Sequence, residues 1–270
     1  MKKKISMIIC SYCLHNDYII NFIKWNENVL QEFNIELIVI SDKNIIFNNQ
    51  NYKCFIYPII HKPMSKSRIL NYGIKNTTNR DIIFSFDIDI VISREALMKS
   101  IELIESGVGV SFQVGNIDSY DNISKLDWKK KIKKRLVGYG MTGMSYSDWD
   151  KLNGYDERMY GWGFEDTDLH KRSCRIIKMH RLIDYPVYHI NHADRTVTGS
   201  LFEHNNLVNG AISEMGRWEC KKWGEEKFVD YVFEYKDIKH DYIDEKCNWK
   251  CDKWIECGKL SNFHGDRLLI

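Results

Sequence analysis

Short apolar runs alternate with amphipathic segments over the first part of the chain. The runs at 5–10 and 35–40 are continuous and rich in β-branched residues, which is typical of strands buried on both faces of a parallel sheet. Between them, the segment 17–33 carries apolar residues at helical spacing, at Ile19, Ile20, Ile23, Val29, Leu30 and Phe33. This order of strand, helix and strand predicts a βαβ unit.

The same alternation continues to residue 114 and predicts an α/β fold. We predict strands at 54–60, 81–92 and 108–114, with helices at 65–75 and 93–105. Ser65 is a residue type that caps helix N-termini, so it is expected to begin the second helix.

Three later segments lack this pattern. Residues 118–135 are polar and end in the basic run 129–135, which predicts a mobile loop, and the glycine-punctuated segment 138–143 is expected to be flexible. From Met215 the composition changes to Trp, Cys, Lys and Glu. We therefore predict a body at 1–214 and a mainly helical extension at 215–270.

Composition narrows the class of protein. The chain has 270 residues, 44% of them hydrophobic, and a formal net charge of +2, which is typical of a globular protein and argues against binding nucleic acid over the whole surface. No apolar run approaches the roughly 18 residues of a membrane span, and no secretion signal is visible. We expect a cytoplasmic protein, at most peripheral to a membrane. The eight cysteines are expected to be free thiols, with a zinc site at Cys247, Cys251 and Cys257 as the alternative.

A pair of carboxylates interrupts one predicted strand. Asp87 and Asp89 lie two residues apart among apolar neighbours, so they are expected to share one face of the strand 81–92. Charges buried there need a positive partner, and two carboxylates at the carboxyl end of a parallel strand suit a divalent metal that also binds a diphosphate. The alternative is a pair of aspartates that cap a turn.

A longer motif follows about 75 residues later. The segment Gly161-Trp-Gly-Phe-Glu-Asp166, preceded by Asn153-Gly-Tyr155, resembles the motif of GT-A glycosyltransferases, in particular the β-1,4-galactosyltransferase C-terminal domain and its bacterial family-2 relatives. Further matches occur in the family's order at 63–73, at the Asp pair and at 188–192. The resemblance covers about residues 4–210.

This resemblance implies a GT-A fold, a Rossmann-like nucleotide-diphospho-sugar transferase fold. It implies a metal-dependent, inverting glycosyltransferase of polysaccharide biosynthesis that uses Mn²⁺ or Mg²⁺. The donor implied is a UDP-sugar carrying a hexose or HexNAc of the galactose, GalNAc or glucose type. The acceptor implied is a hydroxyl group, as on a glycan.

The resemblance also implies roles for single residues. Asp89 and His192 correspond to metal ligands, with His189 as a third, although the galactosyltransferase relatives have Met at that position. Asp166 corresponds to the base that accepts the proton of the acceptor hydroxyl.

Other positions correspond to sugar and nucleotide contacts. Trp162 offers a flat face to a sugar ring, Gly163 gives the backbone room to place it, and Glu165 and Asp168 are expected to hold hydroxyl groups. The residues expected at the nucleotide-sugar are Ser11, Asp42, Lys66, Arg68 and Asp87.

Two other function classes are left open by the sequence. A nucleotidyltransferase also pairs an α/β sheet with metal-binding aspartates, but the segment after the first strand, 11–15, is no glycine-rich basic loop. A carbohydrate-binding module would need neither the Asp pair nor Asp166. The basic run 129–135 is expected to be a solvated loop, with an anionic membrane surface or a nucleic acid as alternative partners, and no obligate protein partner is evident.

Overall fold

The computed structural model describes residues 3–11, 16–41, 44–57, 65–117, 134–136, 141–159, 163–190, 209–210, 212–213 and 223–224. The strands of this part of the chain are β1 Ile5–Ser11, β2 Glu36–Ser41, β3 Tyr52–Ile56, β4 Ile82–Phe86, β5 Ile90–Val91, β6 Gly109–Ile117, β7 Lys134–Leu136, β8 Met141–Ser145 and β9 Met179–Ile190. The helices are α1 Asn16–Glu32, α2 Lys66–Lys75, α3 Arg94–Glu105, α4 Tyr146–Lys151 and α5 Glu165–Ile176.

All strands of the described residues belong to one mixed sheet. The order is β3-β2-β1-β4-β8-β6-β9-β5, and β7 pairs with β6 outside this path. Strands β3, β2, β1 and β4 are parallel to one another, whereas β8 runs antiparallel to both β4 and β6. The carboxyl ends of β1, β2 and β4 therefore lie at the same edge of the sheet, where α/β proteins bind their ligands.

Helices cover both faces of this sheet. Side chains of β1 alternate between the two faces, so Met7 and Ile9 pack with α1 and α3, while Ile8 packs with α2. The second face also receives Trp149 from α4 and Leu169 from α5. Both faces are apolar, which explains why the central strands read as continuous hydrophobic runs.

Several predicted elements are confirmed. Strands β1 and β2 are parallel and flank α1, as the βαβ prediction requires. Ser65 caps α2 by accepting a hydrogen bond from the backbone N–H of Arg68 at 3.3 Å, and Ser93 caps α3 in the same way through Ala96.

The single strand predicted at 81–92 is wrong. It divides into β4 and β5, and the residues 87–89 between them form a turn closed by a hydrogen bond from the N–H of Ile90 to the carbonyl of Asp87 at 3.2 Å. The chain turns here because β5 pairs with β9 and not with a neighbour of β4. Asp87 and Asp89 therefore do not share one face of a strand.

The flexible segment predicted at 138–143 is also wrong in its second half. Residues 141–145 form β8, which is inserted between β4 and β6. Gly143 is required there because a Cβ atom would lie 2.2 Å from the ring of Phe84. Glycine in this strand thus leaves room for the ring of Phe84, and the sequence pattern alone does not distinguish this use from a flexible loop.

Two further strands depart from the sequence prediction. Lys134 and Arg135, which we placed in a mobile loop, belong to β7 and pair with β6. Strand β9 has no counterpart in the prediction because the exposed residues 183–185 interrupt its pattern of buried positions. The rest of the predicted loop 118–135 lies outside the described residues.

Glu36 at the start of β2 is a buried carboxylate that joins three segments. It accepts hydrogen bonds from Ser6 Oγ at 2.6 Å, Lys53 Nζ at 2.6 Å and the backbone N–H groups of Thr78 and Asn79, both at 3.0 Å. Burial alone would raise the pKa of Glu36, but these donors outweigh it and lower the pKa to about 2. The ionised form is therefore favoured in the folded state.

We expect Glu36→Gln to destabilise the fold most at neutral pH. The native pKa of Glu36 lies below its ordinary value of 4.5, so its contribution of about 3 kcal/mol is fully present above pH 4.5 and is lost as the pH falls towards 2. Urea unfolding of both proteins between pH 7 and pH 3 measures this difference. A constant difference over that range would contradict the assignment.

Candidate active site

The site lies at the edge of the sheet where β1 and β4 end. Asp87 and Asp89 occupy the turn that follows β4, and Ser11 is the last residue of β1. Ser11 is 1% exposed, and its carbonyl accepts a hydrogen bond of 3.4 Å from the hydroxyl of Ser41 at the end of β2. Asp42, the other residue expected to contact the nucleoside, lies outside the described residues.

Lys66 joins the turn after β4 to the motif 161–166. Its ammonium group donates to Asp87 Oδ1 at 2.6 Å and to Glu165 Oε1 at 2.8 Å. Burial would lower the pKa of Lys66, but the attraction of Asp87 and Glu165 outweighs it and holds the pKa well above its ordinary value. Lys66 therefore stays charged and brings residues from β4 and α5 into one site.

Glu165 is the first residue of α5 and is also buried. Its Oε2 accepts a hydrogen bond from the backbone N–H of Gly163 at 2.8 Å, and its other oxygen is held by Lys66. Burial would raise the pKa of Glu165, but the charge of Lys66 and these hydrogen bonds lower it below the ordinary value. Glu165 is thus a fixed anion whose bonds shape the turn before α5.

Asp166 follows in the first turn of α5 and is half-buried. Its Oδ1 accepts a hydrogen bond from the N–H of Thr167 at 2.7 Å, and acidic side chains are common in the first turn of a helix. The preceding residue, Phe164, has a left-handed backbone with φ of 68°, a conformation that side chains rarely adopt and that is concentrated at functional sites. This carboxylate can accept a proton.

Asp89 and His189 form the part of the site that suits a metal. Pairing of β5 with β9 places His189 Nε2 3.6 Å from Asp89 Oδ2. His189 Nδ1 donates to Asn116 Oδ1 at 2.9 Å, which turns Nε2 towards Asp89. A carboxylate oxygen beside an oriented imidazole nitrogen is a donor set that Mn²⁺ accepts, so Asp89 and His189 fit a divalent metal ion.

The third predicted ligand is not part of this arrangement as described. His192 lies outside the described residues, and among the residues that the structure does describe no group of three or more His, Cys, Asp or Glu side chains converges on one point. The described cysteines Cys10, Cys54 and Cys174 are not in disulfides, and the cysteines of the alternative zinc site fall outside the described ranges.

Asn26 supports the backbone directly after Asp89, and the sequence prediction missed it. From the apolar face of α1 its amide donates to the carbonyl of Ile90 at 3.0 Å and accepts from the N–H of Ile92 at 3.0 Å. It thereby replaces a neighbouring strand on one side of β5, directly after Asp89. The signal was a polar residue at a position where the helical spacing of α1 calls for an apolar one.

Helix α2 holds the segment that leads to the second motif. Asn71 bonds the backbone of Tyr155 twice, from its amide to the carbonyl at 2.9 Å and from the N–H to its oxygen at 2.8 Å. Arg68 Nε donates to the carbonyl of Glu157 at 3.0 Å, and the hydroxyl of Ser65 donates to the carbonyl of Met159 at 2.7 Å. Arg68, which we expected at the donor, thus contacts this segment.

Asp168 is 1% exposed and lies on the inner side of α5. It accepts a hydrogen bond of 2.7 Å from Arg172 Nε, and the same guanidinium donates to the carbonyls of Leu152 at 2.8 Å and Gly154 at 3.0 Å. Burial raises the pKa of Asp168 to about 6 against the opposing charge of Arg172. A sugar hydroxyl has no access to a carboxylate in this position, in contrast to the sequence-based expectation.

The remaining predicted residues divide between described and undescribed parts. Gly163 has a positive φ of 114°, and its carbonyl accepts a hydrogen bond of 2.9 Å from Asn209. Trp162 lies outside the described residues. Within the described part of the chain, no helix combines the length and apolar character that crossing a bilayer requires.

Comparison with known proteins agrees with this architecture. A protein-family model described as the N-terminal domain of galactosyltransferase matches residues 119–192, which include the segment before α5 and strand β9.

Solved structures with a similar fold come from several glycosyltransferases. The catalytic domain of Drosophila β1,4-galactosyltransferase 7, in complex with xylobiose, is 12% identical, with 81% of this chain and 82% of that chain covered and a TM-score of 0.51. S. aureus TarS with UDP-GlcNAc is 12% identical, with coverages of 98% and 84% and a TM-score of 0.52. GalNAc-T7 with UDP, GalNAc and Mn²⁺ is 11% identical, with coverages of 95% and 54% and a TM-score of 0.57.

These likenesses confirm the predicted fold class, a Rossmann-like GT-A fold. Together with the galactosyltransferase segment, they support a GT-A glycosyltransferase, an enzyme of sugar transfer. This is the function class that the resemblance in the sequence implies.

Proposed function

We propose that this enzyme transfers a hexose or HexNAc from a UDP-sugar to a hydroxyl group of a glycan, with inversion at the anomeric carbon and with a divalent metal. The observation that carries the proposal is the Lys66 bridge, which joins Asp87 of the turn after β4 to Glu165, the residue directly before Asp166. It supports a proposed donor site next to a proposed proton acceptor, which is the arrangement that a direct displacement requires.

The donor side is assigned to the edge formed by β1, β2 and β4. Ser11 and Asp42 follow β1 and β2 and are proposed to contact the nucleoside, while Asp87 is proposed to contact the ribose or a metal-bound water. Lys66 is the cation nearest to the turn and is proposed to attract the diphosphate. Arg68 lies two positions after Lys66 in α2 and is proposed to serve the donor through the segment that it holds at Glu157.

The metal is proposed to bind to Asp89, His189 and His192. When bound, Mn²⁺ or Mg²⁺ neutralises charge on the leaving diphosphate as a Lewis acid. Two asparagines position the proposed ligands: Asn116 orients His189, and Asn26 fixes β5 directly after Asp89.

The acceptor side is assigned to the start of α5. Asp166 is proposed as the base that takes the proton of the attacking hydroxyl, because its carboxyl group is only half-buried and lies in the first turn of α5, directly after Glu165. Trp162 and Gly163 are proposed to hold the sugar, and Glu165 to fix the turn through Lys66 and Gly163. Asp168 is proposed to be structural, since Arg172 holds it inside the protein.

The ligands in the similar structures support the ligand classes of this proposal. TarS was solved with UDP-GlcNAc, GalNAc-T7 with UDP, GalNAc and Mn²⁺, and the Drosophila enzyme with xylobiose. The galactosyltransferase segment favours galactose among the donor sugars.

The proposal is tested by incubating the protein with UDP-galactose, UDP-GalNAc, UDP-glucose and UDP-GlcNAc, each with Mn²⁺, Mg²⁺ or EDTA, and measuring UDP release with and without a glycan mixture. We expect release from at least one donor, dependent on metal and increased by acceptor. Absence of binding and release for every donor and metal would overturn it. NMR of the product decides inversion.

Asp89→Asn is expected to weaken Mn²⁺ binding at least about 10-fold, because it removes the charged member of the donor pair. Titration followed by the EPR signal of free Mn²⁺ measures this without any turnover. Asp81→Asn, a variant of the exposed aspartate just before β4, is the matched control and is expected to bind like wild type. Equal affinity in all three proteins would remove Asp89 from the metal site.

A further inference from the structure

Glu157 is a buried carboxylate that no role in the proposed chemistry uses. It lies between the motif Asn153-Gly-Tyr155 and the start of α5, and it is 3% exposed. Its Oε1 accepts two hydrogen bonds, from Asn71 Nδ2 at 2.8 Å and from the backbone N–H of Gly224 at 2.7 Å. The segment from Asn153 to Glu165 is called the motif segment below. One oxygen atom of Glu157 therefore joins helix α2, the motif segment and the C-terminal part of the chain.

Trp223, the residue before Gly224, is buried in the core of the protein. Trp223 is 1% exposed and belongs to the same apolar cluster as Leu70, Ile74 and Tyr155. The ammonium of Lys75 lies 3.9 Å from the centre of the Trp223 ring, a cation–π contact. Residues 223–224, which the sequence assigns to an extension, are thus in contact with the body.

Gly154 shows how close this contact is. Its φ of +63° is left-handed, and a Cβ atom there would lie 2.3 Å from Asn71 Oδ1 and 2.6 Å from Trp223 Cε3. The glycine of the motif therefore allows α2 and the C-terminal segment to approach the same backbone position. Any larger residue would displace one of them.

The motif segment is held at both ends. Asn71 and Glu157 hold its beginning to α2, and Lys66 of the same helix holds Glu165 at its end. Arg172 of α5 returns to the carbonyl of Gly154. The candidate base on α5 thus follows a segment that hydrogen bonds hold at both ends. Glu157 connects this segment to the C-terminal segment through the N–H of Gly224.

We propose that Glu157 is a positioning residue, which uses Trp223 and Gly224 of the C-terminal segment to fix the motif segment before the candidate base. The catalytic unit then extends beyond residue 214 and includes residues 223–224. The link to Asp166 rests on the proposed function, whereas the lock formed by Glu157, Asn71 and Gly224 does not.

The chemistry of the lock distinguishes two substitutions. Glu157→Gln keeps an oxygen at Oε1 for both donors, whereas Glu157→Leu has similar size and leaves the Asn71 amide and the Gly224 N–H buried without an acceptor. Loss of the acceptor is costly because buried donors need a partner. Glu36→Leu is the matched control, since Glu36 is an equally buried glutamate that also accepts from backbone N–H groups, at a remote position.

Hydrogen exchange of the full chain, followed by mass spectrometry without donor or acceptor, tests the lock. In Glu157→Leu we expect exchange at Tyr155 and Gly224 to accelerate about 10-fold or more, with β1 unchanged. Glu157→Gln should restore most of the protection. Glu36→Leu should accelerate exchange at 78–79 and leave Tyr155 and Gly224 as in wild type.

A milder variant keeps the test decisive if Glu157→Leu does not fold. Lys75→Met removes the cation above Trp223, and we expect exchange at Gly224 to accelerate by a factor of a few. Lys75 also pairs with Asp150, at 3.2 Å, so Asp150→Asn controls for the ion pair and should leave Gly224 unchanged. Wild-type exchange at Gly224 in a folded Glu157→Leu would overturn the lock, and where that variant does not fold, wild-type exchange at Gly224 in Lys75→Met would overturn it.

The positioning role has its own readout. With a donor and an acceptor in hand, we expect Glu157→Leu to lower kcat for transfer at least about 10-fold while KM for the UDP-sugar stays within about 2-fold. An unchanged kcat beside accelerated exchange would leave a structural lock and refute positioning. If wild type transfers no sugar, the proposed function fails, and the exchange result still decides the lock.

Discussion

Asp166→Asn is expected to lower kcat for sugar transfer by a factor of about 10² to 10⁴, the range that a positioned general base contributes. The amide has the shape of the carboxylate and can still accept the hydrogen bond from the N–H of Thr167, but it cannot take the proton of the acceptor hydroxyl. The loss should fall on transfer, since Asp166 is not assigned to the donor.

Steady-state kinetics with a saturating donor measure this loss, and calorimetric titration with UDP checks that donor binding is retained. Asp148→Asn is the matched control because Asp148 also lies in the first turn of a helix, α4, on the opposite flank of the motif segment. We expect it to be fully active. Retention of more than about half of the wild-type kcat in Asp166→Asn would exclude a general base at this position.

Arg172→Met is expected to lower the free energy of unfolding by about 3–5 kcal/mol, the largest effect on stability that we predict. The guanidinium is the charge partner of Asp168 and the hydrogen-bond donor to the carbonyls of Leu152 and Gly154, all of them buried. Removing one member of a buried ion pair leaves the other charge uncompensated. Urea unfolding at pH 7 measures the difference.

The pH dependence of that difference gives a second check. Burial raises the pKa of Asp168 to about 6 even beside Arg172, so its carboxylate binds a proton more readily in the folded than in the unfolded state. Without Arg172 this preference grows, and we expect the deficit of the variant to shrink as the pH falls from 7 to 5. Arg94→Met, which breaks an exposed pair with Glu32, should unfold like wild type.

A deficit that is equally large at pH 5 would point to the two carbonyls, and not to the charge of Asp168, as the cause. The double variant Asp168→Asn with Arg172→Met separates these causes, because it removes the charge and leaves the carbonyls unpaired. We expect it to be more stable than Arg172→Met alone.

The sequence predicts the parallel half of the fold better than the antiparallel half. Strands β1 and β2 are buried on both faces, so their apolar runs are continuous and their periodicity is clear. Strand β8 contains a glycine that serves close packing against Phe84, and β9 has a run of exposed residues, 183–185, in its middle. Local composition cannot reveal such strands, since their partners are far away in the sequence.

The candidate site shows the same division. The sequence indicates Asp89, Glu165 and Asp166 because motifs of adjacent residues carry them. It does not indicate Glu157 or Arg172, whose role depends on contacts to helix α2, to residue 224 and to backbone carbonyls. Residues that hold other residues in place have no motif of their own, and they become visible only through three-dimensional contacts.

The bonds between α2 and the motif segment also bear on how the enzyme reaches its active form. Lys66 and Glu165 are 99 positions apart in the chain, and Asn71 and Tyr155 are 84 apart, whereas the βαβ unit forms from near neighbours. Contacts between distant segments form slowly because a long loop must close first. A refolding chain can therefore complete its first strands while the active site is still unassembled, and catalytic competence is expected to be among the last properties it acquires.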